Sequence, residues 1–441
     1  MVELVKAIDD RFECDHLKML TKYARLYTPD ASGPAADANR IQRMLIDNPT
    51  VQLESVLDRR LKEAHRFGVS ADIECTRLFR ASVENPVENL EFADLICKAS
   101  RKLIVKGMKF FFPEACISII EKWEGILLSP NLIVFTDKKP EGRICQAMSA
   151  NKGDAPNNLM LNHNLIPCAY DHALEATRAI YDMKDELESI CQLVPGWNAE
   201  QQLMQMLFRA LAYVDDFHIV SHNSDELTGG GTDLKQAFNH TNLAEDAVGL
   251  IAAKLEVPEE WAPFMSPRCV IVWLVLNFGW IHSPANHQPT TLAIRNAINN
   301  TCAQEIMTDL PGYNFKPGDL SHLALDALFR YIRYTEGYND TIDFDKTQDI
   351  ESRLHRLGCT MYLDTLEIAV KHHHLLRALT AIQKGDEFEA SGLMGVPLGW
   401  LQETLGQFRF VDVMPKSWII TPANAWANAY GLACAFWWRV L

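Results

Sequence analysis

No stretch of this sequence supplies the roughly 20 consecutive apolar residues that a bilayer-spanning helix needs. The longest apolar run, Cys269 to Ile281, already contains Asn277 and Gly279, so it is predicted as a buried core segment and no membrane partner is expected. The first residues lack a basic region followed by an apolar one and carry Glu3, Asp9, Asp10, Glu13 and Asp15 instead. That pattern predicts neither a secretory signal nor an Arg-rich transit peptide, and a cytoplasmic location is expected. Cysteine is thinly spread: eleven residues, odd in number, never form CxxC. Reduced, buried thiols are predicted rather than a disulfide framework or a zinc knuckle. The Gly229-Gly230-Gly231-Thr232 run has no Gly-Lys-Ser/Thr and no apolar strand before it, which excludes a P-loop and predicts a flexible loop. Positive charge is in deficit, with 42 Lys and Arg against 57 Asp and Glu and a net charge of −15, and there is no basic arm.

What is present is a chain of globular composition, 48% hydrophobic and 22% charged over 441 residues. That length suits two or three domains or one large bilobed one. Apolar residues spaced by three and four predict helices through most of the chain. One is expected from a Thr50 cap through Leu53, Val56, Leu57, Leu61, Ala64 and Phe67 to Gly68, and others over 70–85, 90–108 and from Pro113. Periodicity fails over 129–168, where Asn131 to Phe135 predicts a short strand. Helical spacing returns over 171–193, 198–220, 233–255, 267–282, 290–308, 319–335, 349–382 and 422–438. The expected architecture is therefore mainly α: an N-terminal helical lobe over 1–128, a strand- and loop-rich connection over 129–168, and a C-terminal helical lobe over 169–441. Most of the ten Trp fall after residue 260, which predicts an aromatic core in the second lobe.

Two constellations carry chemistry. The first is a basic row. No acid occurs between Asp94 and Glu114, while Lys98, Arg101, Lys102, Lys106 and Lys109 recur at helical spacing before Phe110, Phe111 and Phe112. On one helix these cations would follow a phosphate backbone, and the adjacent rings would offer stacking area to bases.

The second is Tyr213-Val214-Asp215-Asp216-Phe217-His218, continued to His222. On a helix running on from Asn198, Asp215, His218 and His222 share a face, which suits a divalent metal with an open position for water. HExxH is not matched, because Ile219 stands where the general base belongs. The triplet His372-His373-His374 cannot converge on one ion from a helix, where consecutive residues point about 100° apart.

The segment Tyr213-Val214-Asp215-Asp216 resembles the Tyr-x-Asp-Asp signature of reverse transcriptases, whose aspartates hold catalytic metal ions. The resemblance spans a dozen residues. It implies a polymerase palm with a hairpin at this point and an upstream metal-binding Asp on a strand, for which Asp137 is the candidate. The same aspartates also resemble the acidic metal motif of the all-helical class I terpene synthases. That likeness implies Mg2+, with Asn339-Asp340 as the second metal site; where the family's motif continues with Ser/Thr and then Glu, this chain has Asp343 and Thr347.

Over its whole length the chain resembles, in architecture only, the helical coat and nucleocapsid proteins of RNA viruses. The expected function is a self-assembling structural protein, a capsid or nucleocapsid protein that needs no cofactor, forms a homo-oligomer or shell and encloses RNA in a virion. The residues expected to touch RNA phosphates are Lys98, Arg101, Lys102, Lys106 and Lys109. Contacts between copies are expected near Pro284 and Pro289 and through Trp437 and Trp438. The alternative is a metal-dependent enzyme centred on Asp215 and Asp216, with His218 and His222 nearby, in the form of an isoprenoid cyclase using Mg2+.

Overall fold

The structure, a computed structural model, describes chiefly residues 2–11, 34–70, 93–105, 108–123, 126–136, 139–150, 208–223, 226–261, 266–309, 342–356, 359–365 and 367–370. The chain divides into two compact units, Met1–Ala169 with Lys235–Ala297 and Thr335–Thr341, and Tyr170–Leu234 with Ile298–Tyr334 and Ile342–Leu441. The mainly α expectation is overturned. Among the described residues, strands form sheets of five, four, three and two members beside the helices.

In the first unit, helices α1 (Val2–Arg11), α2 (Pro34–Asp47), α3 (Ser55–Phe67), α4 (Ala93–Val105) and α5 (Glu114–Ile120) accompany a mixed sheet. Its strands are β1 (Ala81–Ser82), β2 (Lys109–Pro113), β3 (Leu127–Leu128), β9 (Ala252–Glu256) and β10 (Arg268–Trp273), in the order β1-β3-β9-β10-β2. Helix α3 starts after Glu54 and not at Thr50, whose backbone N–H and hydroxyl both donate to Asn48 Oδ1 at 2.9 and 2.7 Å in a local turn. It ends, as its sequence predicts, on Gly68, whose φ of 81° brings the backbone against Leu243.

Segment 267–282 was expected to be helical, yet β10 lies antiparallel between β9 and β2, with Ile271 opposite both Ala253 and Phe111. Its run Cys269-Val270-Ile271-Val272 is wholly buried. An unbroken apolar run buried on both sides has no polar alternation, and only β-branching hints at a strand. Helix α4 packs Ile96 and Cys97 onto Leu255, Cys269 and Ile271. Strands β4 (Asn131–Thr136) and β5 (Lys139–Gln146) form a hairpin where a short strand was expected. Pro284 and Pro289 lie within helix α6 (Ser283–Asp309).

In the second unit, strands β6 (Phe208–Tyr213), β7 (Asp216–Asn223), β8 (Glu226–Leu234) and β11 (Ile342–Glu351) form an antiparallel sheet ordered β11-β8-β7-β6. Strands β12 (Arg353–Arg356), β13 (Cys359–Tyr362) and β14 (Glu367–Val370) make a meander where 349–382 was expected to be helical. Leu363 and Leu354, at the turn and on the first strand of that meander, come over Gly229, so the glycine run is a strand that others pack on and not a loop. Phe217 and Ile219 are fully buried on the opposite face of the four-stranded sheet. The exposed edge of β6 is closed by Asn299 of α6, whose side chain accepts from the Ala210 N–H at 2.8 Å and donates to the Ala210 carbonyl at 3.3 Å. Among the described residues no helix is long and apolar enough to cross a membrane.

Candidate functional site

Where 198–220 was expected to be one helix, the chain folds back on itself. Tyr213 and Asp216 are the last paired residues of the β6–β7 hairpin, and Val214-Asp215 is its two-residue turn. Val214 has a φ of 54°, a left-handed backbone that β-branched residues avoid. The turn is fixed from outside, because the Leu234 N–H at the end of β8 donates to the Asp215 carbonyl at 2.7 Å. Strain of about 1–3 kcal/mol persists only where the surroundings impose it, and it clusters at functional sites.

That hydrogen bond ties the turn to the end of β8, one residue from a second acid. Asp216 on β7 is the register partner of Asp233 on β8, and Asp233 is in turn the partner of Asp343 on β11. Directly opposed residues of antiparallel strands share a face with Cβ atoms about 4.5–5.5 Å apart, and like charges so placed repel. Three aspartates on three neighbouring strands thus form a row at one end of the sheet, beside Asp215 in the turn. Asp233 is buried, with 7% of its surface exposed. The Lys346 ammonium offsets the repulsion: it pairs with the Asp233 carboxylate and lies 3.6 Å from that of Asp343.

His218 follows Asp216 on the same face of β7, because side chains two apart on a strand point the same way. It is buried over Gly231, where an added Cβ would meet its Nδ1 at 2.6 Å and the Phe217 carbonyl at 2.5 Å. His222 continues β7 opposite Leu227. The face expected to join Asp215, His218 and His222 on a helix is thereby replaced: Asp216 and His218 share a strand face, Asp215 stands in the turn, and His222 is a later position of β7.

Among the described residues no three His, Cys, Asp or Glu side chains form a group able to enclose a metal ion. Mg2+ asks for less, since in phosphoryl-transfer sites it takes one or two carboxylates and completes its octahedron with water and substrate phosphates. The row offers such an ion paired carboxylates, Asp216 beside Asp233 and Asp233 beside Asp343. Its donors are hard carboxylate oxygens, and a cation already sits among them. Asp137, Asn339, Asp340 and His372-His373-His374 lie outside the described residues, while Asp343 and Thr347 belong to strand β11. Asp233 went unrecognised as a site residue, and Asp343 entered only through the terpene-synthase likeness, not beside Asp233. The alternation of Ile342-Asp343-Phe344-Asp345 carries a strand signal, but nothing in sequence sets its register against Asp233.

The basic row is divided. Lys98, Arg101 and Lys102 are exposed on α4, whereas the helix stops at Val105 and Lys109 begins β2. Lys109 is buried with its ammonium 3.8 Å from the Trp273 ring centroid and 3.5 Å from Ser100 Oγ, so it takes no part in an exposed row. Lys106 lies outside the described residues. Phe112 is fully buried in the sheet. The Arg101 guanidinium lies 5.4 Å from the Trp261 ring, whose indole N–H donates to Asp94 at 2.6 Å. One acid distant in sequence therefore reaches this helix: burial first, then Asp94 on the helix itself and Glu260 from outside it, push the Cys97 thiol up to about 12. A thiol held so high is not a nucleophile at neutral pH. Comparison with protein-family models and with curated proteins finds no match for this chain.

Proposed function

We propose that this protein is a metal-dependent phosphoryl-transfer enzyme acting on nucleic acid, centred on Asp215, Asp216 and Asp233. One observation carries the reading: the Tyr213-Val214-Asp215-Asp216 segment forms a β-hairpin turn with Asp233 in register beside it. The resemblance to reverse transcriptases implies that hairpin, and helical periodicity argued against it. Asp216 and Asp233, with Asp215, are the residues that would hold Mg2+, and Asp343 extends the negative row. The bound ion would supply charge stabilisation for the attacking and leaving oxygens of an in-line displacement at phosphorus. The protein's own contribution is placement. The Leu234 hydrogen bond holds the turn, and the sheet fixes the spacing between carboxylates. The isoprenoid-cyclase form of a metal enzyme drew on an all-helical chain, and these aspartates stand on strands.

The test is nucleotide incorporation on primed RNA and DNA templates with Mg2+ or Mn2+. Wild-type protein is expected to extend a primer. Asp216→Asn and Asp233→Asn should each lower the rate by about a thousandfold or more with folding retained, as loss of a main electrostatic group does. Full activity in Asp233→Asn sinks the proposal.

A second reading, an RNA-enclosing coat or nucleocapsid protein that self-assembles, keeps one specific support in the exposed Lys98, Arg101 and Lys102 of α4. Charge reversal at Lys98 and Lys102 should then weaken RNA association and flatten its salt dependence. Unchanged binding would remove that support.

A further inference from the structure

Inside the first unit, three elements meet on polar side chains. Helix α2 packs against the short turn Ala237–His240, and its Gln42 reaches across to Thr290 of α6, with Nε2 3.5 Å from Oγ1. One helical turn earlier on α6, His287 bonds through Nδ1 to Thr241 at 3.2 Å and stands edge-on to Phe238. Gln42, Thr241, His287 and Thr290 are all buried. Two atoms in this seam, Gln42 Oε1 and His287 Nε2, are cut off from solvent and have no hydrogen-bond partner among the described residues. Buried polar groups are almost always paired, with protein or with ordered water. We infer that an internal water is bound between Gln42 Oε1 and His287 Nε2 and bridges α2 to α6.

The spacing suits one molecule. Residues three apart on a helix share a face with Cβ atoms about 5–6 Å apart, and Gln42 is held at Thr290, so both atoms lie against the same turn of α6. Two hydrogen bonds of about 2.8 Å each cover such a span. A buried water makes about three hydrogen bonds, and the Thr290 hydroxyl, whose contact with Gln42 is long, has capacity for the third. The chemistry calls for a neutral guest. Burial, and then His240, lower the His287 pKa to about 3, so the ring is uncharged at neutral pH and asks for no counter-ion. Among the described residues no group of side chains is able to enclose a metal ion. Gln42 Oε1 only accepts, so the guest must donate to it. Water does so and still meets either tautomer of His287, donating to a bare Nε2 or accepting from a protonated one. The site is independent of the aspartate row. It fastens α2 to a helix that lies far along the chain, and without the water two buried polar groups on facing elements would stand uncompensated.

Three measurements test it. In a crystal structure of the wild-type protein, a water oxygen should lie within about 3.2 Å of both atoms. Direct contact between Gln42 and His287, or a dry gap, overturns the inference, and this arm needs no variant to fold. Oxygen-17 relaxation dispersion of the solvent should count one more long-lived internal water in wild type than in Gln42→Met, and equal counts overturn it. Urea melts of Gln42→Met, His287→Phe and the double variant complete a cycle in which the lost Thr241 bond cancels. The double variant should lose at most about half the sum of the single losses, because the two groups share one guest and removing both leaves neither unpaired. Additive losses would mean that they share nothing, and the bridge is then refuted.

Discussion

Lys109 and His287 are ionisable side chains that the sheet and helices of the first unit have closed over, and each ties stability to pH. Burial pulls the Lys109 pKa from 10.5 to about 7. Between those values the unfolded chain binds the extra proton, so the lysine's penalty shrinks as pH rises from 7 to 10.5 and is constant below 7. Lys109→Met is expected to raise stability at pH 7 by about 2 kcal/mol and to remove that slope, because an apolar chain fills the site beside Trp273 without a charge to desolvate. Urea unfolding at pH 7 and 9 checks this, and a less stable variant at pH 7 refutes it. His287 is fully buried, hydrogen-bonded with Thr241 at 3.2 Å and edge-on to Phe238 at 5.6 Å. Burial, and then the neighbouring His240, lower its pKa from 6.5 to about 3. Here too the unfolded state binds the extra proton between the two values, so stability is fully present above 6.5. It falls by about 1.4 kcal/mol per pH unit as the solution is acidified toward 3. His287→Gln should flatten that fall between pH 6.5 and 4.5, and parallel wild-type and variant curves would remove His287 as its cause.

At the scale of elements, the β6–β7 hairpin and strand β8 each hold a residue whose backbone surroundings decide what substitution does, Val214 and Gly231. Val214→Gly relieves a left-handed conformation and is expected to stabilise the unit by about 1 kcal/mol. If the strained turn positions the aspartates, the same variant should lose metal affinity while gaining stability, two readouts that a purely structural turn would not separate. Gly231→Ala is expected to cost about 2 kcal/mol, since its Cβ would meet the Phe217 carbonyl at 2.5 Å and the His218 ring at 2.6 Å. Denaturant melts of both variants decide these points. Elements with a local signal were legible: α3 closes on Gly68, α5 opens after Pro113, α6 covers the expected 290–308, and Asn131 begins a strand. The hairpin at Val214 was not, because Ala210, Leu211 and Ala212 have helix-favouring side chains and the turn lacks the Asn-Gly or Gly that marks a two-residue hairpin.

At the scale of the whole molecule, two compact units and a net charge of −15 give a chain whose expected behaviour separates the two functional readings. Light scattering with absorbance at 260 and 280 nm should find a particle at 49.9 kDa or a small multiple, free of nucleic acid, if the chain is an enzyme. A megadalton particle carrying RNA would favour the assembly reading instead. Peptide-resolved hydrogen exchange should show acid loosening the unit that holds His287, and Mn2+ protecting the unit that holds Asp233. The sequence by itself determined a globular composition, the ends of several helices, buried thiols such as Cys97 and Cys269, and the Asp215-Asp216 pair as a place to look for metal chemistry. Only the tertiary structure decided that Asp216, Asp233 and Asp343 stand in one row, that Lys346 lies among them, and that Lys109 leaves the basic row for the core. Helix caps are written in contiguous residues, whereas the pairing of strands as far apart in the chain as β8 and β11 is set by packing across the whole sheet, and a one-residue slip in register would turn every one of those carboxylates to the other face.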